Sequence, residues 1–320
     1  MHYAPIALFT YNRPDKTQTV IESLLQNAEA KDSELFIFSD GPKNEKAVDG
    51  VKANREYLHS LKNSLISNNK EISVFKSITI IEREKNWGLA NSLIAGITDV
   101  INKYGRVIVV EDDLILSPYF LKFMNDGLEK YENLDRVSAI CSFVNPVNEK
   151  LPNTFFLRYF ACWGWATWKR SWTLFETDSR KLLWKLRNTW KVNEFNIDNS
   201  YNFYNMLYCQ MLGEINSWAI RFYASSFINN KLILYPGQCL CAQNGIDGSG
   251  THAGNVNDMQ VQMSDKPIII HDNTPISENK ETYRIYSKFY QNRWNYHTHY
   301  NIFKFFIRRL ICIDFWQKKK

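Results

Sequence analysis

The chain of 320 residues is 45% hydrophobic and 22% charged, ordinary proportions for a folded protein and enough length to bury a large core. Its net charge of +6 is concentrated in residues 303–320, where six Lys and Arg face one Asp, so the rest carries only +1. That distribution excludes a nucleic-acid-binding face spread across the fold, and no apolar run is long enough to span a bilayer.

The elements follow in order. Pro5–Phe9 is a short apolar strand ending in Thr10-Tyr11-Asn12-Arg13-Pro14, and a helix with Val20, Ile21, Leu24 and Leu25 on one stripe comes next. Leu35–Phe38 is a second strand closed by Ser39-Asp40-Gly41-Pro42, then a polar helix carrying Val51, Leu58, Leu61 and Leu65. A third strand falls within Ile72–Ile81, ahead of Glu82-Arg83-Glu84-Lys85-Asn86-Trp87-Gly88 and a helix with Leu89, Leu93, Ile94, Ile97 and Ile101. Val107–Val110 is a fourth strand, a helix spans about 118–131 with Ser117 as cap and Pro118 in its first turn, and Val137–Phe143 is a further strand. Strand and helix alternate, which predicts an α/β fold with a mostly parallel central sheet.

Val107–Val110 is continuously apolar and reads as a strand buried on both faces, yet it runs straight into Glu111-Asp112-Asp113. Adjacent carboxylates repel one another and are costly to desolvate, and a divalent cation resolves both problems. Ligands of parallel sheets sit at the carboxyl ends of the strands, and Arg13, Asp40, Arg83, Lys85 and the acid triplet all fall at such ends. Basic side chains beside a carboxylate-held metal suit a diphosphate, while the absence of both G-x-G-x-x-G and G-x-x-x-x-G-K-[ST] argues against a dinucleotide oxidoreductase and a P-loop ATPase.

Past residue 150 six of the ten tryptophans lie at 163, 165, 168, 172, 184 and 190. Trp165, Trp168 and Trp172 follow helical spacing and are expected in a packed core, whereas Gly164 between Trp163 and Trp165 implies a close backbone approach and leaves one of these indoles to face a sugar. Leu232–Pro236 is a strand, and residues 243–254 form a glycine-rich loop holding Asp247 and His252, expected to close over a ligand. Residues 300–320 carry an apolar helical face with flanking Lys and Arg, the pattern of a helix lying on an anionic membrane or docked on the body. The six cysteines lack zinc spacing and the N-terminus lacks a signal-peptide pattern, so reduced thiols and a cytoplasmic location are expected, peripheral on the inner face of the membrane if the tail binds it.

These stretches together resemble nucleotide-sugar glycosyltransferases of the GT-A fold, of the N-acetylglucosaminyltransferase I type and its bacterial polysaccharide-building relatives. Val107–Phe120 is similar to their Asp-x-Asp region, Tyr11-Asn12-Arg13 to the turn that meets the nucleotide, Phe38-Ser39-Asp40 to the uridine position, and Phe160–Trp165 to the aromatic acceptor motif. The resemblance implies a metal-dependent inverting transfer from a UDP-sugar to a glycan or glycolipid, with GlcNAc or another hexose as the sugar and Mn²⁺ or Mg²⁺ held by Asp113. Thr10, Arg13, Asp40, Arg83, Glu111, Asp112 and His252 would bind the nucleotide-sugar, and Trp163 and Trp165 the acceptor. It divides the chain into a donor half (1–145), an acceptor and catalytic half of the same domain (146–275) and a helical tail (276–320).

A general base is also needed. Where the family places an Asp beside a Trp, this chain has Ile215-Asn216-Ser217-Trp218, and an amide is no base. Glu214, two residues away and on the same face if the stretch is a strand, and Asp247 are the candidates. The alternatives are a sugar-phosphate nucleotidyltransferase, which normally has a glycine-rich loop after its first strand, and a non-catalytic glycan-binding protein.

Overall fold

The computed structural model describes residues 3–64, 75–244 and 261–294. Asp247, His252 and the basic tail 300–320 lie outside these residues. The first four strands alternate with helices: β1 (Ile6–Thr10), α1 (Pro14–Leu25), β2 (Glu34–Ser39), α2 (Val48–Ser64), β3 (Ser77–Glu82), α3 (Leu89–Tyr104) and β4 (Arg106–Glu111). These strands run parallel in the order β3-β2-β1-β4. Val107–Val110 are all buried, as a continuously apolar strand covered on both faces should be. Pro14 opens α1, and α3 ends on Gly105, whose left-handed backbone (φ +77°) lets its amide cap the Ile101 carbonyl at 2.8 Å.

Next come β5 (Leu114–Leu116), α4 (Phe120–Lys130), β6 (Val137–Cys141), β7 (Thr154–Leu157), β8 (Trp165–Trp168), α5 (Lys169–Trp172), α6 (Ser179–Asn188), α7 (Val192–Phe195), α8 (Phe203–Leu212), α9 (Trp218–Ile228), β9 (Leu232–Pro236), β10 (Cys241–Gln243) and α10 (Lys280–Trp294). The main sheet has eight strands in the order β3-β2-β1-β4-β8-β6-β9-β7, and β5 pairs with β10 in a separate ribbon. β8 is antiparallel to both β4 and β6, so β6 and β9 run in the direction of β4 and end on the same edge.

Several expectations are corrected. Trp165 and Trp168 belong to a strand, which sends them to opposite faces, and only Trp172 is helical. All three are nevertheless core, with Trp165 stacked on Trp218 at 5.2 Å between ring centroids. Helix α4, expected from about 118, begins at Phe120, and the Ser117 hydroxyl accepts the Tyr119 amide at 3.3 Å. Residues 214–217 form the turn between α8 and α9, not a strand. Ser217 caps α9 there by accepting the Ile220 amide at 3.4 Å. α10, which precedes the 300–320 segment, packs on the body: Tyr286 is buried against Phe155 and Tyr159, and Tyr290 donates its hydroxyl to that of Tyr159 at 2.8 Å. The five cysteines among the described residues are free thiols.

Candidate active site

β1 lies beside β4 with Phe9 opposite Glu111, so the turn leaving β1 meets the acids leaving β4. The Tyr11 amide donates to Asp112 Oδ2 at 3.2 Å. Arg13 Nη2 pairs with Asp112 and lies 3.4 Å from Asp113 Oδ2. One guanidinium thus faces three carboxylates. Burial first, then the neighbouring Asp113 and Asp112, push Glu111 up to about 8 against the pull of Arg13. Burial also raises Asp112 to about 6, with Arg13 working against it. Asp113 is the more open of the two aspartates, its side chain 19% exposed against 7% for Asp112.

The donor set fits a hard divalent cation: carboxylate oxygens, an excess of negative charge, and one aspartate open to the cleft. Among the described residues no three His, Cys, Asp or Glu side chains converge into a ready-made cage.

The ends of β2 and β3 form the neighbouring wall. Asp40 is buried, and its carboxylate accepts the amides of Gly41 (2.9 Å), Trp87 (2.8 Å) and Gly88 (2.9 Å), so it organises the loop after β3. Gly41 is pressed against that loop: a Cβ there would lie 2.5 Å from the Lys85 carbonyl carbon and 2.9 Å from the Arg83 oxygen. Arg83 stacks on Trp87 at 3.9 Å from the ring centroid. Its Nε and Nη2, like Nη1 of Arg13, are enclosed and without a hydrogen-bond partner among the described residues. Enclosed guanidinium donors left unpaired call for an anion. Thr10 is buried, its hydroxyl taken by Asn54 Nδ2 at 3.1 Å, so its side chain is held by α2 rather than offered to the cleft.

On the far side of β4, Val109 pairs with Trp165. Trp163 is half-buried and packs edge-on to Phe143 at 4.4 Å. Gly164 has φ +61°, and a Cβ on it would lie 2.6 Å from Ser142 Oγ, so the close backbone approach is against Ser142 and the ring of Phe120. Trp165 is fully buried, so of the two indoles only Trp163 has surface to offer an acceptor. Glu214 is exposed in the α8–α9 turn, and among the described residues no bond joins its side chain to the triplet. Asn216 Oδ1 accepts from Arg221 at 3.2 Å.

Four contributors escaped the sequence reading. Arg55 of α2 donates to the Arg83 carbonyl at 2.7 Å and to the Asp40 carbonyl at 3.4 Å, tying the ends of β2 and β3. Its signal was a cation on the apolar stripe between Val51 and Leu58. Asn244, next to β10, donates its amide to the Asp113 carbonyl at 2.7 Å and accepts from Lys16 Nζ at 2.8 Å. Cys162 is half-buried, and its thiol is raised well above the ordinary range by burial and then by the field of Glu111. Nothing in the spacing of Lys16, Asn244 or Cys162 announced these roles.

The α/β sheet gathers a carboxylate triplet and two arginines with enclosed, unbonded donors along one edge, an arrangement consistent with a glycosyltransferase of GT-A fold. The chain belongs to glycosyl transferase family 2, whose sequence profile matches residues 6–191. No match was found among curated proteins. Among solved structures the chain is similar to a UDP-glucose pyrophosphorylase complexed with UDP-glucose, with 10% identity over 73% of this chain and 90% of that one. The TM-score of 0.39 gives that likeness no weight in choosing a reaction.

Proposed function

We propose that the protein transfers GlcNAc or another hexose from a UDP-sugar to a lipid-linked or cell-surface glycan, with inversion, in the manner of N-acetylglucosaminyltransferase I and its bacterial relatives. The observation that carries the reading is the Glu111-Asp112-Asp113 triplet at the end of β4, whose aspartates pair with Arg13. Asp113, the more open aspartate, would hold Mn²⁺ or Mg²⁺, which supplies charge neutralisation of the departing diphosphate. Arg13 and Arg83 carry the enclosed, unpaired donors that phosphate oxygens would satisfy. Asp40 would act through the loop it holds, keeping Trp87, and with it Arg83, in place. Glu111 and Asp112 would meet the ribose and donor sugar, and Trp163 would offer its face to the acceptor. Residues 1–145 would then serve the donor and 146–275 the acceptor.

For the base, the turn holding Glu214 shows no link to the acids, whereas Asp247 follows three residues after Asn244, which is bonded to Asp113. Asp247 is therefore our first choice. The test is a panel of UDP-sugars with Mn²⁺ against glycolipid acceptors, read by mass spectrometry. Transfer or donor hydrolysis that vanishes in Asp113→Ala supports the proposal. No turnover and no donor binding, with Asp113→Ala indistinguishable from the parent, would remove it.

A further inference from the structure

Helix α6 carries a surface that the cleft chemistry does not use. Its inner face, Leu182, Leu183 and Leu186, is buried, and the helix packs on α8 and α9. Its outer side holds Arg180, Lys181, Lys185 and Arg187, with Lys191 just beyond, all exposed, and residues 179–193 contain no Asp or Glu. Among the described residues only Lys181 has an acidic partner, Glu176 at 3.7 Å. Set among these cations are Trp184, 59% exposed, and Trp190, 92% exposed, while Leu212 at the end of the adjoining α8 is 50% exposed. The contrast within the chain is sharp, since Trp165, Trp168, Trp172 and Trp218 are all buried. Indoles displayed to water among exposed cations match the interface of a bilayer, where the ring sits at headgroup depth and Lys and Arg stems reach the phosphates.

We propose that this face of α6 docks the protein on an anionic lipid surface, with Trp184 and Trp190 seated at headgroup level and the five cations against lipid phosphate. The charge complementarity is one-sided, five positive and none negative over 179–193. The face is the outside of a helix, not the groove that a single-stranded nucleic acid would follow. It is also separate in sequence from the basic residues 303–320.

The full-length protein would be floated with vesicles of phosphatidylcholine alone and of phosphatidylcholine with phosphatidylglycerol. Binding is expected only to the anionic vesicles and should weaken with salt. Trp184→Ser/Trp190→Ser and Lys185→Glu/Arg187→Glu should each lower partitioning about tenfold or more, with an unchanged thermal midpoint. Charge reversal of Lys318, Lys319 and Lys320 should leave most of the binding in place. Three results would overturn the proposal: flotation of the α6 variants like the parent, failure of the parent to bind anionic vesicles, or an α6-dependent affinity for a polyanion such as oligonucleotide without vesicle binding.

Discussion

Asp112 and Glu111 take up protons more readily in the folded chain than in the unfolded one, because burial and their neighbours penalise their charges. A carboxyl whose folded pKa lies above its unfolded value costs stability as pH rises between the two. The thermal midpoint of the metal-free protein should therefore decline as pH climbs from near 4.5 toward about 8, the window set by Glu111. Mn²⁺ should reverse the decline, and scanning fluorimetry across that range with and without the ion checks both. Gly41 offers a second test. A Cβ there meets the backbone of Arg83 and Lys85 rather than a movable side chain, so Gly41→Ala should shift that loop and weaken UDP binding about tenfold, measured by calorimetry. At this scale the sequence showed which residue types gather at the strand ends, because strand ends of a parallel sheet converge whatever the details. It did not show orientation. Thr10 and Asp40 share those ends, yet Asn54 holds the hydroxyl of one and three amides hold the carboxylate of the other.

Elements were readable where one period dominated. β4 is a continuous apolar run and β9 falls on Leu232–Pro236 as its composition indicates, since neither run admits a helical stripe. β8 was hidden because Trp165, Trp168 and Trp172 fit a helix as well as they fit a strand followed by one turn of helix, and its partners β4 and β6 are distant in sequence. The docking of α10 was hidden for a related reason: its anchors Tyr286 and Tyr290 are amphipathic residues that sit equally well at a surface. Arg158, at the end of β7, fastens the segment before α10, donating to Glu278 at 2.9 and 3.1 Å and to Glu194 at 2.7 Å. Arg158→Ala would leave the largely enclosed Glu278 without its cation and should cost about 2 kcal/mol in urea unfolding.

For the whole molecule, the buried thiols give a built-in report on integrity. Burial pushes Cys141 and Cys239 up to about 12, so almost no thiolate exists at neutral pH in the folded state. Their alkylation should track global unfolding with added denaturant, whereas Cys209, only half-buried, should label earlier. Mass mapping of the modified peptides separates the two behaviours.

The place of β8 also bears on how such a protein can be recombined. A strand from residues 165–168 is the seam between β4 and β6. A chimera spliced near residue 145 that imports a relative's second half must therefore import a strand complementary to β4 as well, or leave the edge of β4 unmatched. Splicing should give soluble protein only where residues 165–168 complement β4, and otherwise yield insoluble protein.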